Sequence, residues 1–157
     1  MKHLLFAVAL LATGLVQQSF AQDSLKTQSS SLLTSYYIIK DALIKGNGNA
    51  ARINATEFLK AINEIEKTII TAEHKSSLEY DAVAISRSND INVQREKFAS
   101  LSGNLFALAK IIKLSALPIY QMYCPMKKAV WLSDNKSIRN PYFGNAMLTC
   151  GSIKETL

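Results

Sequence analysis

Over most of the stretch from Leu32 to Leu117 apolar side chains return every three or four residues, and at Pro118 that period stops. A repeat of this length lines one face of an α-helix, and proline lacks the N–H that a helix interior needs and clashes with the preceding turn. The discontinuity therefore confines the chain to a helical body followed by a segment built on other rules. Leu32, Tyr36, Ile39 and Leu43 mark a first helix, widened by Leu33, Tyr37 and Ile44 and ended by Gly46-Asn47-Gly48. Ala51, Ala55, Phe58, Ile62, Ile65 and Ile69 predict a second from about Asn49 to Ala72, with Glu57, Lys60, Glu64 and Lys67 on its other side. Between Glu73 and Ser88 the pattern weakens, although Leu78, Ala82 and Ile85 permit a short helix. Ser88-Asn89-Asp90 then offers an N-cap for a third long helix, whose buried side carries Phe98, Leu101, Leu105, Leu108 and Ile112.

Beyond Pro118 the chain is rich in Tyr, Pro, Asn, Gly and Ser. Pro125, Asn140-Pro141 and Gly144 are turn signals, and a short helical turn is expected from Asn145 to Thr149, ended by Gly151. The expected fold is all-α: a bundle of three to four helices with an irregular Cys/Met-rich C-terminal segment packed on it. It forms one domain over residues 32–157, with the sulfur-rich motif at 120–151.

The N-terminus reads as an export signal. Lys2 precedes an apolar run from Leu4 to Val16, and Ser19-Phe20-Ala21 has the small-x-small form of a cleavage site, so residues 1–21 are expected to be a signal peptide. The run is too short to span a bilayer, and no other segment reaches the roughly 20 apolar residues required, so membrane insertion is not expected. Residues 22–31, rich in Ser and Gln, form a lead-in. A periplasmic or secreted location follows.

The formal net charge is +6, but acids and bases are interleaved and no arginine-rich stripe with aromatics suggests nucleic acid. Lys110, Lys113, Lys127, Lys128, Lys136 and Arg139 give the C-terminal half a basic balance, read either as a solvated face or as cations that would favour cysteine thiolates. A Cys-x-x-Cys pair, an HExxH helix and a phosphate-cradling glycine loop are all missing from the sequence, and an enzyme is not expected.

Apart from the leader, all the sulfur falls in one window: Met122, Cys124, Met126, Met147 and Cys150. Thiolates and thioethers are the ligands that soft ions prefer, Cu(I) above all. If extended, Cys124 and Met126 point to one side. If helical, Met147 and Cys150 share a face. Folded together, Cys124, Met126, Met147 and Cys150 would make a Cys2Met2 site for Cu(I) or another soft ion. Zinc suits the chain less, since His74 is the one histidine beyond the leader. Met122 is assigned to packing. The plainer alternative stands beside this one: Cys124 and Cys150 as a disulfide, with the methionines as core fillers. Trp131, Tyr142 and Phe143 are expected to be core aromatics that hold the segment on the helices.

Cys124-Pro125-Met126, Trp131-Leu132-Ser133, Asn140-Pro141-Tyr142-Phe143-Gly144 and Met147-Leu148-Thr149-Cys150-Gly151 together resemble a family of exported bacterial domains of unknown function. Weaker matches run upstream through Tyr36, Asp41-Ala42-Leu43, Gln94-Arg95, Phe98 and Leu101-Ser102. Lys127 and Lys128 stand where the family more often has Ala or Gly. Members occur alone and fused to periplasmic adaptor subunits of heavy-metal efflux systems. The resemblance implies a role in handling copper or a similar metal, with such an adaptor as partner.

Overall fold

The structure, a computed structural model, describes residues 29–157. The expected signal peptide and most of the lead-in lie outside them. Helix α1 covers residues 29–44 of the described chain, so its helix is already running three residues before Leu32. Ser29 is buried while Ser30 and Ser31 sit on the outer face, where polar residues leave no apolar period to read. Gly46, at φ +70°, donates to Leu43 O at 3.2 Å, and Asn47 donates to Ala42 O at 2.9 Å, the paired closure of a left-handed helix end. The same Asn47 caps helix α2, Gly48–Glu64, by accepting from Ala50 N at 2.9 Å.

Helix α2 is shorter than its periodicity predicts. Ile65 turns to φ −69°, ψ 129°, and Ile65 and Ile70 are buried from a connecting turn rather than from helix. The β-branched run Thr68-Ile69-Ile70-Thr71 gains little from helical backbone. Helix α3, Ala72–Arg87, is correspondingly longer than expected, with its N-cap at Thr71. Its stripe looked weak because one of its buried positions is Asp81, which accepts from Asn104 Nδ2 at 2.9 Å. Helix α4, Ile91–Ile111, starts as expected, Asp90 accepting from Asn92 N at 2.8 Å. Helix α3 packs on both α2 and α4, and one continuous core links all four helices through Leu32, Tyr36, Phe58, Ile62, Leu78, Ile85, Phe98 and Leu101. Each large side chain of this kind contributes about 1.5–3 kcal/mol on burial.

The all-α expectation is corrected after Pro118. Strands β1 (Tyr120–Cys124), β2 (Ala129–Ser133) and β3 (Ser152–Thr156) form an antiparallel sheet in the order β2-β1-β3. A short connection over residues 125–128 joins β1 to β2, pairing Tyr120 with Ser133 and Cys124 with Ala129. The β1–β3 ladder pairs Tyr120 with Thr156 and Tyr123 with Ser152, with a bulge beside Gln121 and Met122. The period of two that would announce strands is hidden. Trp131, Leu132 and Ser133 are buried one after another, and β3 is exposed along nearly its whole length. The expected helical turn at Asn145–Thr149 is instead a 3-10 turn, Gly144–Ala146, and Met147 leaves it at φ −145°.

The sheet is fastened to the bundle by its aromatics, as expected for Trp131 and Tyr142. Strand β2 packs on α4, Trp131 meets Tyr142 edge-on at 6.0 Å, and Tyr142 lies 6.3 Å from Phe98. Phe98 in turn stacks on Tyr36 at 5.0 Å. Arg95 adds a polar tie, donating from Nε to Pro141 O at 3.0 Å and from Nη2 to Leu43 O at 3.1 Å.

Candidate functional site

Cys124 is the last residue of β1, and continuing the β1–β3 register past Tyr123 and Ser152 brings Gly151 and then Cys150 beside it. Both cysteines are free thiols, Cys124 buried and Cys150 half-buried. Glycine at 151 is required here: at φ +153° a Cβ would lie 2.7 Å from the Trp131 ring and 3.0 Å from Tyr123 O. The Trp131 indole and the close approach of the two strands thus leave room only for glycine between Cys150 and β3.

Two N–H groups point at Cys124. Lys127 N donates to its Sγ at 3.4 Å, across the turn, and Asn140 Nδ2 donates at 3.1 Å. Asn140 is fully buried, and Nδ2 also donates to Cys150 O at 2.8 Å. Its orientation is determined by the remaining bonds: Oδ1 accepts from Tyr142 N at 2.8 Å, and its own N–H reaches Leu148 O at 2.7 Å. Turning the amide over would set N–H against N–H and O against O. One side chain therefore holds both cysteine segments.

Partial burial, then the charge of Cys124 and a side-chain hydrogen bond with it, push the Cys150 thiol above the ordinary cysteine range. Of the two readings of the basic residues, the solvated face is the one that three of them fit. Lys127 is ion-paired with Glu96, Lys110 with Glu155 at 2.9 Å, and Lys136 lies over the Tyr120 ring at 5.9 Å. These lysines are engaged at the surface.

Of the four expected ligands, the structure brings Cys124 and Cys150 together. Met126 sits in the β1–β2 turn, 63% exposed, so its side chain does not continue the buried face that Cys124 ends. Met147 is 38% exposed and joins Cys150 through the backbone, Cys150 N donating to Met147 O at 3.1 Å. Both thioethers thus lie on segments adjoining the thiols, at the surface. Met122, assigned to packing, is fully buried opposite Trp131. His74 is at the start of α3, its Nδ1 2.7 Å from Thr71 Oγ1. Among the described residues no group of three or more His, Cys, Asp or Glu side chains is placed to hold a metal ion. Asn140 was read from sequence only as a turn residue; Asn-Pro signals a turn and carries no sign that the amide will face a thiol.

Fold and site define a helical domain that carries a small sheet with two neighbouring thiols at one end of its central strand. The chain belongs to the family described as protein of unknown function (DUF3347), which matches residues 32–116. That match spans α1 to α4 and ends just before the sheet, so the cysteine pair lies outside it. No curated protein and no solved structure matches the chain. Among the described residues no helix is long and apolar enough to cross a membrane.

Proposed function

We propose that this is an exported protein that binds a soft metal ion, Cu(I) in the first instance, as cargo, and passes it to a periplasmic adaptor of a heavy-metal efflux system. The observation that carries this reading is the adjacency of Cys124 and Cys150 at one end of β1, both as free thiols. Two thiolates suffice for a monovalent soft ion, and Met126 and Met147, on the adjoining turns, are the thioethers within chain reach. Their exposure suits an ion that must leave again. Export is supported by the N-terminal apolar run and its small-x-small site, and the adaptor by the resemblance of the Cys-Pro-Met to Met-Leu-Thr-Cys-Gly segment.

The same adjacency favours a second reading, a disulfide-stapled interaction module of the cell envelope that holds no metal. Closing the 124–150 loop would contribute about 3–4 kcal/mol by the chain-entropy estimate. Native mass spectrometry, before and after reduction and with limiting Cu(I) in a competing chelator, separates the two. One copper retained per chain after reduction, and lost in Cys124→Ser, supports the cargo reading. An intact disulfide that resists mild reductant, with no copper retained, supports the staple.

A further inference from the structure

The two sulfurs are not equivalent. Cys124 is fully buried and accepts from two N–H groups, whereas Cys150 is half-buried and is held through its backbone carbonyl. N–H donors aimed at a ligating sulfur stabilise the charge it keeps after a metal binds, and groups outside the ligand shell also fix a ligand's direction. Asn140 does both for Cys124, because its Oδ1 is already taken by Tyr142 N and only its donor edge can face the sulfur. Among the described residues, no N–H group is aimed at the Cys150 sulfur in the same way.

Resting on the cargo reading above, we propose that Asn140 is a positioning residue that divides the labour of the pair: Cys124 keeps the soft ion while Cys150 is the ligand exchanged on transfer. In that exchange an incoming sulfur ligand of the acceptor bonds the ion as the bond to Cys150 breaks. No electron changes hands, and the departing thiolate takes a proton from solvent. The half-exposed position of Cys150 lets the acceptor approach from its side, and burial of Cys124 keeps the ion from leaving before the acceptor has bonded.

The test loads the reduced protein with Cu(I) and follows its transfer to a colorimetric Cu(I) chelator for the wild type, Cys124→Ser, Cys150→Ser and Asn140→Asp. Cys150→Ser should still retain copper at chelator concentrations that strip Cys124→Ser completely. Asn140→Asp, at a temperature where its helicity shows it folded, should release copper about 10- to 100-fold faster than wild type. Nitrogen-15 spectra supply a second readout that needs no substitution at Asn140. Its side-chain amide signals should move when the wild type or Cys150→Ser is loaded with Cu(I). Equal retention by the two serine variants, a folded Asn140→Asp with unchanged release, or amide signals that stay put on loading would overturn this inference alone. No copper retained by the wild type would overturn it together with the cargo reading.

Discussion

The hydroxyl of Tyr36, on α1, accepts from the backbone N–H of Leu132, on β2, at 2.9 Å. The direction of the chain of bonds follows from its end. Ser102 Oγ donates to Phe98 O at 2.7 Å, so Tyr36, 2.7 Å from Ser102 Oγ, must donate to it. Tyr36→Phe would keep the ring stacked on Phe98 but leave a buried Leu132 N–H without its partner. A loss of about 1–3 kcal/mol is expected, read from the urea midpoint. Tyr36→Phe with wild-type stability would show that this bond does not hold sheet to bundle.

Tyr36 and Tyr142 are both buried, and burial is the main cause that raises their phenol pKa values above the usual range; Tyr37 is raised in the same way. In the unfolded chain these phenols ionise near pH 10. Above that value the folded state therefore holds more protons than the unfolded state, and stability falls as pH rises. Stability should be insensitive to these groups below about pH 10. Above it, the ring-carbon NMR signals of Tyr36, Tyr37 and Tyr142 should move to phenolate positions in step with loss of helicity rather than before it.

Lys128 holds φ +55° at the end of the β1–β2 turn, the left-handed region that glycine occupies freely. Relief of that strain, less the greater backbone entropy of glycine when unfolded, should make Lys128→Gly more stable by about 0.5–1 kcal/mol. Thermal melting measures the sign directly. A lower melting temperature would mean that the lysine side chain contributes more than its backbone costs.

Arg95 joins the Pro141 carbonyl to the end of α1, and Gly144 fits beneath it, where a Cβ would lie 2.8 Å from Nη2. Lysine cannot reproduce the two-pronged fork. Arg95→Lys should cost about 1.5–3 kcal/mol and loosen the segment that carries Asn140, seen as faster amide exchange at Tyr142 than at Phe98. Equal changes at both positions would point to general destabilisation instead.

Much of the bundle was legible because Leu32 to Leu43 and Phe98 to Leu108 present unbroken apolar stripes, and because Asn47 and Asp90 cap where short polar side chains should. Two helix limits depart from the apolar count, for opposite reasons. Ile65 and Ile69 lie in a turn that continues the apolar count without continuing the helix, and buried Asp81 interrupts the stripe of a helix that persists. The sheet was hidden by strands of five residues, one buried on both faces and one exposed on both. The nearness of Cys124 to Cys150 depends on β1–β3 pairing, a contact across 26 positions that no local pattern encodes. The role of Asn140 depends on that pairing in turn.

X-ray absorption at the copper edge of the reduced, Cu(I)-loaded protein tests the soft-metal site most directly. A first shell of sulfur alone is expected, losing one neighbour in Cys150→Ser and retaining sulfur coordination there. A shell dominated by nitrogen or oxygen, or one unaffected by Cys124→Ser and Cys150→Ser, would place the copper elsewhere and contradict a cargo site built on this pair.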